Sequence, residues 1–318
     1  MYQIPMIGFE EVESVIDPEE LIEEICECFK LYSMKRTVTP PRTVMYVEGN
    51  WWGIMTSYIP GCGVGVKVVS VIPDNPKRGL RTTQALVTLY DHETGLPLIV
   101  MDGTSLTAHR TAATTAASIK FMWRSKGGTL GLIGAGFQGR YQVLYAYNVM
   151  KPDRILIYDI VKKASERLSK ELSRKLDAEI KSVSSLKDLL EGSHVVIEAT
   201  TCKEPVIIGK YLKPPTHVIS IGAHTPTERA IDDDTIRLAE VYAVDSREAT
   251  SRETGDVIQP LESGILKLED LVELGEIALG LRPGRVGKGI TIFKTVGIAV
   301  EDTCAAYYVL RKLSRKAK

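Results

Sequence analysis

The chain of 318 residues predicts an α/β protein of two domains, and three observations carry that expectation. From Gly128 onward, short apolar runs alternate with helical stretches. A glycine-spaced turn, Gly134-x-Gly136-x-x-Gly139, directly follows the first of those runs. Residues 1 to about 105 break instead into closely spaced β-rich segments divided by Gly, Pro and Asn, the pattern of an α+β domain. Length agrees, because single cores rarely grow beyond roughly 250–300 residues.

Asp17-Pro18 reads as an N-cap followed by proline at the first helical position, with Glu19 and Glu20 in the first turn. Leu21, Ile25, Cys28, Phe29 and Tyr32 then recur at helical spacing. After Pro40-Pro41 the expected strands are 43–47, 52–58, 65–71, 84–90 and 97–102, in a mostly antiparallel sheet. A helix is expected over 107–124, lined by the small residues Ala112, Ala113, Ala116 and Ala117. The alternating region then reads as strand 129–133, helix 138–150, strand 155–158, helix 162–176, and strands 195–199 and 217–221. A last strand over 290–293 and a helix over 296–312 follow, with the basic tail 314–318 as a frayed end.

Composition excludes several classes. Lys+Arg and Asp+Glu are equal at 40 each, so no net field gathers nucleic acid or an anionic membrane. Five scattered cysteines read as reduced thiols in the cytoplasm, and no Cys/His spacing completes a metal site. The N-terminal stretch lacks the basic start of a signal peptide, and no apolar run reaches the roughly 18–20 residues of a membrane span.

The glycine turn has the context that phosphate binding requires, between a strand and the start of a helix. Gly134 permits the tight turn, Gly136 the close approach of a pyrophosphate, and Gly139 the packing of helix on strand. The helix N-terminus adds free N–H groups and partial positive charge. Asp159 closes the second strand twenty residues after Gly139, where a carboxylate accepts both ribose hydroxyls. These features predict a Rossmann-type domain that favours NAD(H). NADP(H) remains open, because Lys162 and Lys163 follow closely.

Six further stretches carry a family resemblance over nearly the whole chain: P-P-R at 40–42, G-V-K at 65–67, V-M-D-G-x-x-L-T-A-x-R-T-A-A at 100–113, G-A-G-F-Q-G at 134–139, I-G-A-x-x-P at 221–226, and T-I-F-K-T-V-G-I-A-x-E-D at 291–302. With these the sequence resembles the ornithine cyclodeaminase/mu-crystallin family. The resemblance implies a homodimer. It also implies a substrate and dimerisation domain built from both chain ends (1–110 with 291–318), around a dinucleotide-binding domain at 111–290. Arg42, Lys67 and Arg110 match the cations that hold a substrate carboxylate, a role suited to forked guanidinium groups and a mobile ammonium. Lys67 lies within the apolar run 64–71, where burial would lower its pKa into a catalytic range. Thr83, Arg110, Thr111, Phe137, Gln138, Thr201 and Thr295 match positions that touch the cofactor.

Two departures bear on the reaction. Where ornithine cyclodeaminases carry a Glu for the distal amine, this chain has Gly53, and Glu48 is the nearest acid. Where relatives place an acid/base Asp after I-G-A, it has His224, with Glu228 further along the loop in place of a Lys. The expected activity is hydride transfer between NAD(P)H and a small imino or amino acid, as in cyclic ketimine reduction or alanine dehydrogenation, with Lys67 or His224 handling the proton. Ornithine cyclodeamination and a non-catalytic cofactor-binding role are the alternatives.

Overall fold

The computed structural model describes residues 3–316. It divides into two compact units, one formed by residues up to 114 together with those from 297 onward, the other by residues 115–296.

The first unit contains a six-stranded sheet of β1 (Met6–Ile7), β2 (Thr43–Val47), β3 (Asn50–Ile59), β4 (Gly63–Val71), β5 (Thr83–Tyr90) and β6 (Pro97–Asp102). Its order is β1-β6-β5-β4-β3-β2, antiparallel from β2 to β6, with β1 parallel to β6. Glu48 and Gly49 join β2 to β3 with φ of 50° and 79°, the left-handed pair whose twist matches a two-residue hairpin. The helix Pro18–Ser33 begins on its Asp17 cap, which accepts from the N–H groups of Glu19 and Glu20. Its buried face meets the helix Ala299–Lys316: the Asp17 N–H donates to Tyr308 Oη at 3.0 Å. That terminal helix also lies against the sheet. A Cβ added at Gly65 would fall 2.1 Å from Thr303 Oγ1, so only glycine admits the helix so close. The Thr303 hydroxyl in turn sits 2.6 Å from Ser57 Oγ.

The second unit is built on eight parallel strands: β7 (Thr129–Ile133), β8 (Arg154–Tyr158), β9 (Glu179–Ser182), β10 (Val195–Glu198), β11 (Thr216–Ser220), β12 (Ala239–Val244), β13 (Leu271–Glu273) and β14 (Ile290–Lys294). The order is β13-β12-β14-β11-β10-β7-β8-β9. The chain leaves β7 toward β8 and returns on its other side at β10, so the sheet reverses between β7 and β10, where such folds bind ligands. β7, β10, β11 and β14 are buried along their whole length, as near-continuous apolar strands covered on both faces must be.

Several boundaries differ from the sequence reading. The helix expected from residue 107 starts at Gly103 and passes into a π-helical turn at Ile119–Trp123, ending at Arg124 with φ 66°. The helix expected over 162–176 stops at Leu172, where Ser173 caps it. The terminal helix starts at Ala299, not 296, because Gly297 takes φ +75° just before it. It runs on through Ser314 to Lys316 where fraying was expected; the last two residues of the tail lie outside the described residues. Strands β9, β12 and β13 are not among the expected ones: β9 and β13 are short, whereas β12 ends in the apolar run Val241–Val244.

His217 is buried on β11, with Nδ1 2.9 Å from Thr291 Oγ1 and Nε2 3.2 Å from Ser118 Oγ. Burial, reinforced by the charge of Arg285, pushes its imidazolium down from 6.5 to about 3. The folded imidazole therefore stays neutral while the unfolded one takes a proton, so this contribution to stability is full above pH 6.5 and is lost as pH falls toward 3. In urea titrations across that window, His217→Gln should show a shallower loss of stability on acidification, by up to about 1.4 kcal/mol per pH unit. Equal slopes would mean that His217 is not the group responsible.

Candidate active site

In the first unit, three cations converge on the start of the terminal helix. Lys67 points from β4 to Asp302, with Nζ 2.6 Å from Oδ2. Arg110, on the helix Gly103–Ser118, places Nε 3.0 Å from Asp302 Oδ1 and Nη1 3.0 Å from Glu301 Oε2. Arg42, just before β2, donates through Nη2 to the carbonyl of Gly297. Gly297 has to be glycine here, since a Cβ would lie 2.5 Å from Arg110 Nη1 and φ is positive. Glu301 is held on its other side by Thr114 Oγ1 at 2.7 Å and by the Ile298 N–H at 2.7 Å. The helix carrying Arg110 is itself anchored by Glu13, which receives Ser105 Oγ at 2.6 Å and lies 2.9 Å from His109 Nε2.

Lys67, Arg110, Glu301 and Asp302 are all buried. Burial, followed by the charge of Arg110, lowers Lys67 to about 8, against the opposing pull of Asp302. For Asp302, burial acts upward, but Arg110 and Lys67 outweigh it and hold the carboxyl below its usual range. Burial likewise opposes the charge of Arg110, yet Asp302 and Glu301 keep its pKa above the ordinary guanidinium value. Three cations, two of them shared with Glu301 and Asp302, thus meet at one place.

Gly53 lies on the same sheet face as Lys67, two residues along β3 from Met55, the partner of Lys67. Its side is already filled: a Cβ there would lie 2.4 Å from Trp51 Cη2. Glu48 is taken up by the hairpin turn. Thr83 begins β5 on this face, opposite Val71, and Thr111 is half-buried beside Arg110.

In the second unit, the glycine turn has the geometry its spacing requires. Gly134 adopts φ +100°, and a Cβ there would meet the Ala199 carbonyl at 2.5 Å. At Gly139 a Cβ would meet the Gly134 carbonyl at 2.1 Å, whereas nothing lies within 4 Å of one at Gly136. The helix Phe137–Met150 therefore opens on an uncrowded backbone, and Gly136 caps it without a side chain. Phe137 packs edge-on against Tyr141, and the buried Oε1 of Gln138 has no hydrogen-bond partner among the described residues. Asp159 accepts from the Ala135 N–H at 2.7 Å and the Val161 N–H at 2.8 Å, which ties the end of β8 to the glycine turn. A dinucleotide fits these residues: Gly136 leaves room for its phosphates, the helix start offers donors, and Asp159 stands where a ribose would be bound.

Beside this cradle, at the carboxyl ends of the strands, lies a charged network with no exposure. Lys294 Nζ is 3.2 Å from Asp256 Oδ2 and donates to Ser220 Oγ at 3.1 Å. Ser220 Oγ is 3.0 Å from both Asp256 Oδ2 and Glu198 Oε2. Glu198 accepts from the N–H groups of Thr200, at 2.6 Å, and Gly222, at 3.2 Å, so it holds the loops after β10 and β11 together. Thr201 is exposed on the first of those loops. On the second, His224 donates from Nδ1 to the Gly222 carbonyl at 2.8 Å, with Glu228 Oε2 3.9 Å away, so Nε2 is the basic nitrogen of its neutral form. Thr295, after β14, is buried and donates to Asp245 Oδ2 at 2.6 Å.

Residues 5–317 match the profile of the Ornithine cyclodeaminase/mu-crystallin family. The chain belongs to this family. A Bacillus cereus Delta(1)-pyrroline-2-carboxylate reductase is 30% identical over 96% of this chain and 96% of its own length. Among solved structures of the family, Thermococcus litoralis Delta(1)-pyrroline-2-carboxylate reductase in complex with NADH and L-proline superposes with a TM-score of 0.95 at 34% identity, covering 99% of this chain and 98% of that one. An archaeal alanine dehydrogenase dimer with bound NAD gives a TM-score of 0.92 at 28% identity, covering 99% of this chain and 97% of that one.

For this family member the structure adds residues that sequence reading passed over. Glu301 and Asp302 stood within a quoted motif, but their pairing with Arg110 and Lys67 spans most of the chain. Lys294 stood within the same stretch, whereas Trp51, Glu198 and Asp256 carried no spacing signal. Asp302→Asn should lower the free energy of unfolding by about 3–5 kcal/mol, because it leaves two buried cations short of a counter-charge. Urea titration followed by tryptophan fluorescence measures this, and a loss below about 1 kcal/mol would mean that the cluster relaxes without its carboxylate.

Proposed function

We propose that this chain is an oxidoreductase that transfers a hydride between NAD(H) and the α-carbon of a small imino or amino acid, such as a cyclic ketimine or the pyruvate–alanine pair. The observation that carries this reading is the convergence of Arg42, Lys67 and Arg110 at the start of the terminal helix, with Lys67 and Arg110 buried. Such a site suits one carboxylate, held by guanidinium forks. The relatives named for pyrroline-2-carboxylate reduction and alanine dehydrogenation support the substrate class. The indole over Gly53 argues against ornithine cyclisation, because it fills the place where a Glu side chain would stand.

When bound, NADH supplies the hydride. Arg42 and Arg110 fix the substrate carboxylate, and Lys67 Nζ donates the proton that the imine nitrogen needs as its carbon is reduced. Asp302 orients Lys67 and keeps its ammonium in place. His224 is the second candidate for the proton, with its tautomer set by Gly222. We also assign a homodimer. Edge strand β2 is exposed along its whole length and carries Val44, Met45, Tyr46 and Val47, a surface suited to a second copy.

Purified protein with NADH and Δ1-pyrroline-2-carboxylate should oxidise NADH, and with catalytic NAD and ornithine should release little ammonia. Absence of turnover with imines, pyruvate plus ammonia, and alanine plus NAD would overturn the proposal in favour of a binding protein. Lys67 acts as an acid, so imine reduction should fall as pH rises through about 8, while amino-acid oxidation should rise. A reduction rate with no step near pH 8 would move the proton donor away from Lys67. NADH should be used better than NADPH, and Asp159→Ser should narrow that gap by removing a carboxylate facing the 2′-phosphate. Lys162 already pairs with Glu166 at 3.5 Å, so it offers little compensation.

A further inference from the structure

We propose that Trp51 sets the size of the substrate's side chain, acting as the wall that restricts the site to compact substituents. The inference rests on the function proposed above and concerns the same first-unit site.

The sheet register places the parts. Paired residues on antiparallel strands share a face, and alternate residues return to it. Ser57 and Gly65 form one row, beneath Thr303. The next row is Met55, Lys67 and Val87, where Lys67 meets Asp302. Gly53, Val69 and Ala85 form the third row, and Trp51, Val71 and Thr83 the fourth. The terminal helix begins over this face at Ala299, which packs on Met55 and Val69.

The Trp51 side chain does not stay in its own row. Its ring turns back along the strand, so that Cη2 lies 2.4 Å from where a Gly53 Cβ would be, with Cζ3 and Cζ2 at 3.0 and 3.1 Å. It also packs with the Met55, Val69 and Ala299 cluster. The indole thus stands one row from Lys67. A substrate whose carboxylate is held by the cations has its remaining carbons confined between that charge and the ring. The ring leaves little room beside the clamped carboxylate and presents an apolar body there. Ring methylenes of a five-membered imino acid or a methyl group meet both conditions. Longer chains do not.

The discriminating experiment compares wild type with Trp51→Ala and Trp51→Phe. The measurements are kcat/KM for Δ1-pyrroline-2-carboxylate, its six-membered homologue and phenylpyruvate with ammonia. In Trp51→Ala the ratio of bulky to small substrates should rise by roughly tenfold or more, the worth of a few methylenes in an apolar pocket, with Trp51→Phe between. NADH affinity should be unchanged in both variants. A second arm needs no turnover: calorimetric binding of L-proline, L-pipecolate and L-phenylalanine to the same proteins, which should show the same inversion. Loss of all turnover in wild type would sink the proposed activity, and the binding arm would still decide the role of Trp51. An unchanged ligand ratio in folded Trp51→Ala, or in Trp51→Phe and Trp51→Leu should the alanine variant not fold, would overturn the proposal.

Discussion

The first unit depends on one buried ion cluster. Lys67 and Arg110 both close on Asp302, and Arg110 reaches on to Glu301. This ties a strand, the helix Gly103–Ser118 and the terminal helix to one point. Charges removed from water carry a desolvation penalty of several kcal/mol each, so the arrangement persists only while every partner stays in place. Sequence details that look minor follow from this. Gly65 lets the helix approach the strand that bears Lys67, and Gly297 clears the space taken by Arg110.

The second unit meets a related problem by different means. Its parallel sheet supplies rigid strands, but the residues that face a ligand sit on loops beyond their carboxyl ends. Glu198, Ser220, Asp256 and Lys294 hold those loops from below, with hydrogen bonds to backbone N–H groups at Thr200, Gly222, Ala230 and Ile231. Asp159 does the same for the glycine turn. Buried carboxylates here act as fixed acceptors that shape backbone, a role in which the network's rigidity matters more than its charge.

Legibility followed the range of the interactions. Asp17-Pro18, the Gly134–Gly139 spacing and the apolar strands are local signals, and the structure places helix start, glycine turn and core strands where they pointed. β9 reads Glu-Ile-Lys-Ser at the sheet edge, where little burial is demanded, so its pattern resembles a loop. The three cations were found through motif resemblance, whereas their carboxylate partners lie 192 and 191 residues from Arg110 and have no local correlate. Trp51 was beyond reach for another reason. Strand periodicity says which face a side chain leaves from, but not that its ring folds back over a neighbouring glycine.

The path of the chain has a consequence for biosynthesis. A polypeptide emerges from its amino end, and the strand bearing Lys67 is made long before the helix bearing Asp302. The whole intervening unit, residues 115–296, is complete before that helix appears. The continuous unit can therefore close on its own while the six-stranded sheet waits with one face uncovered. During that interval Lys67 can remain hydrated, and the exposed apolar rows around Met55 and Val69 are open to other partners. Folding of the first unit is thus completed last, by the arrival of the carboxyl-terminal helix.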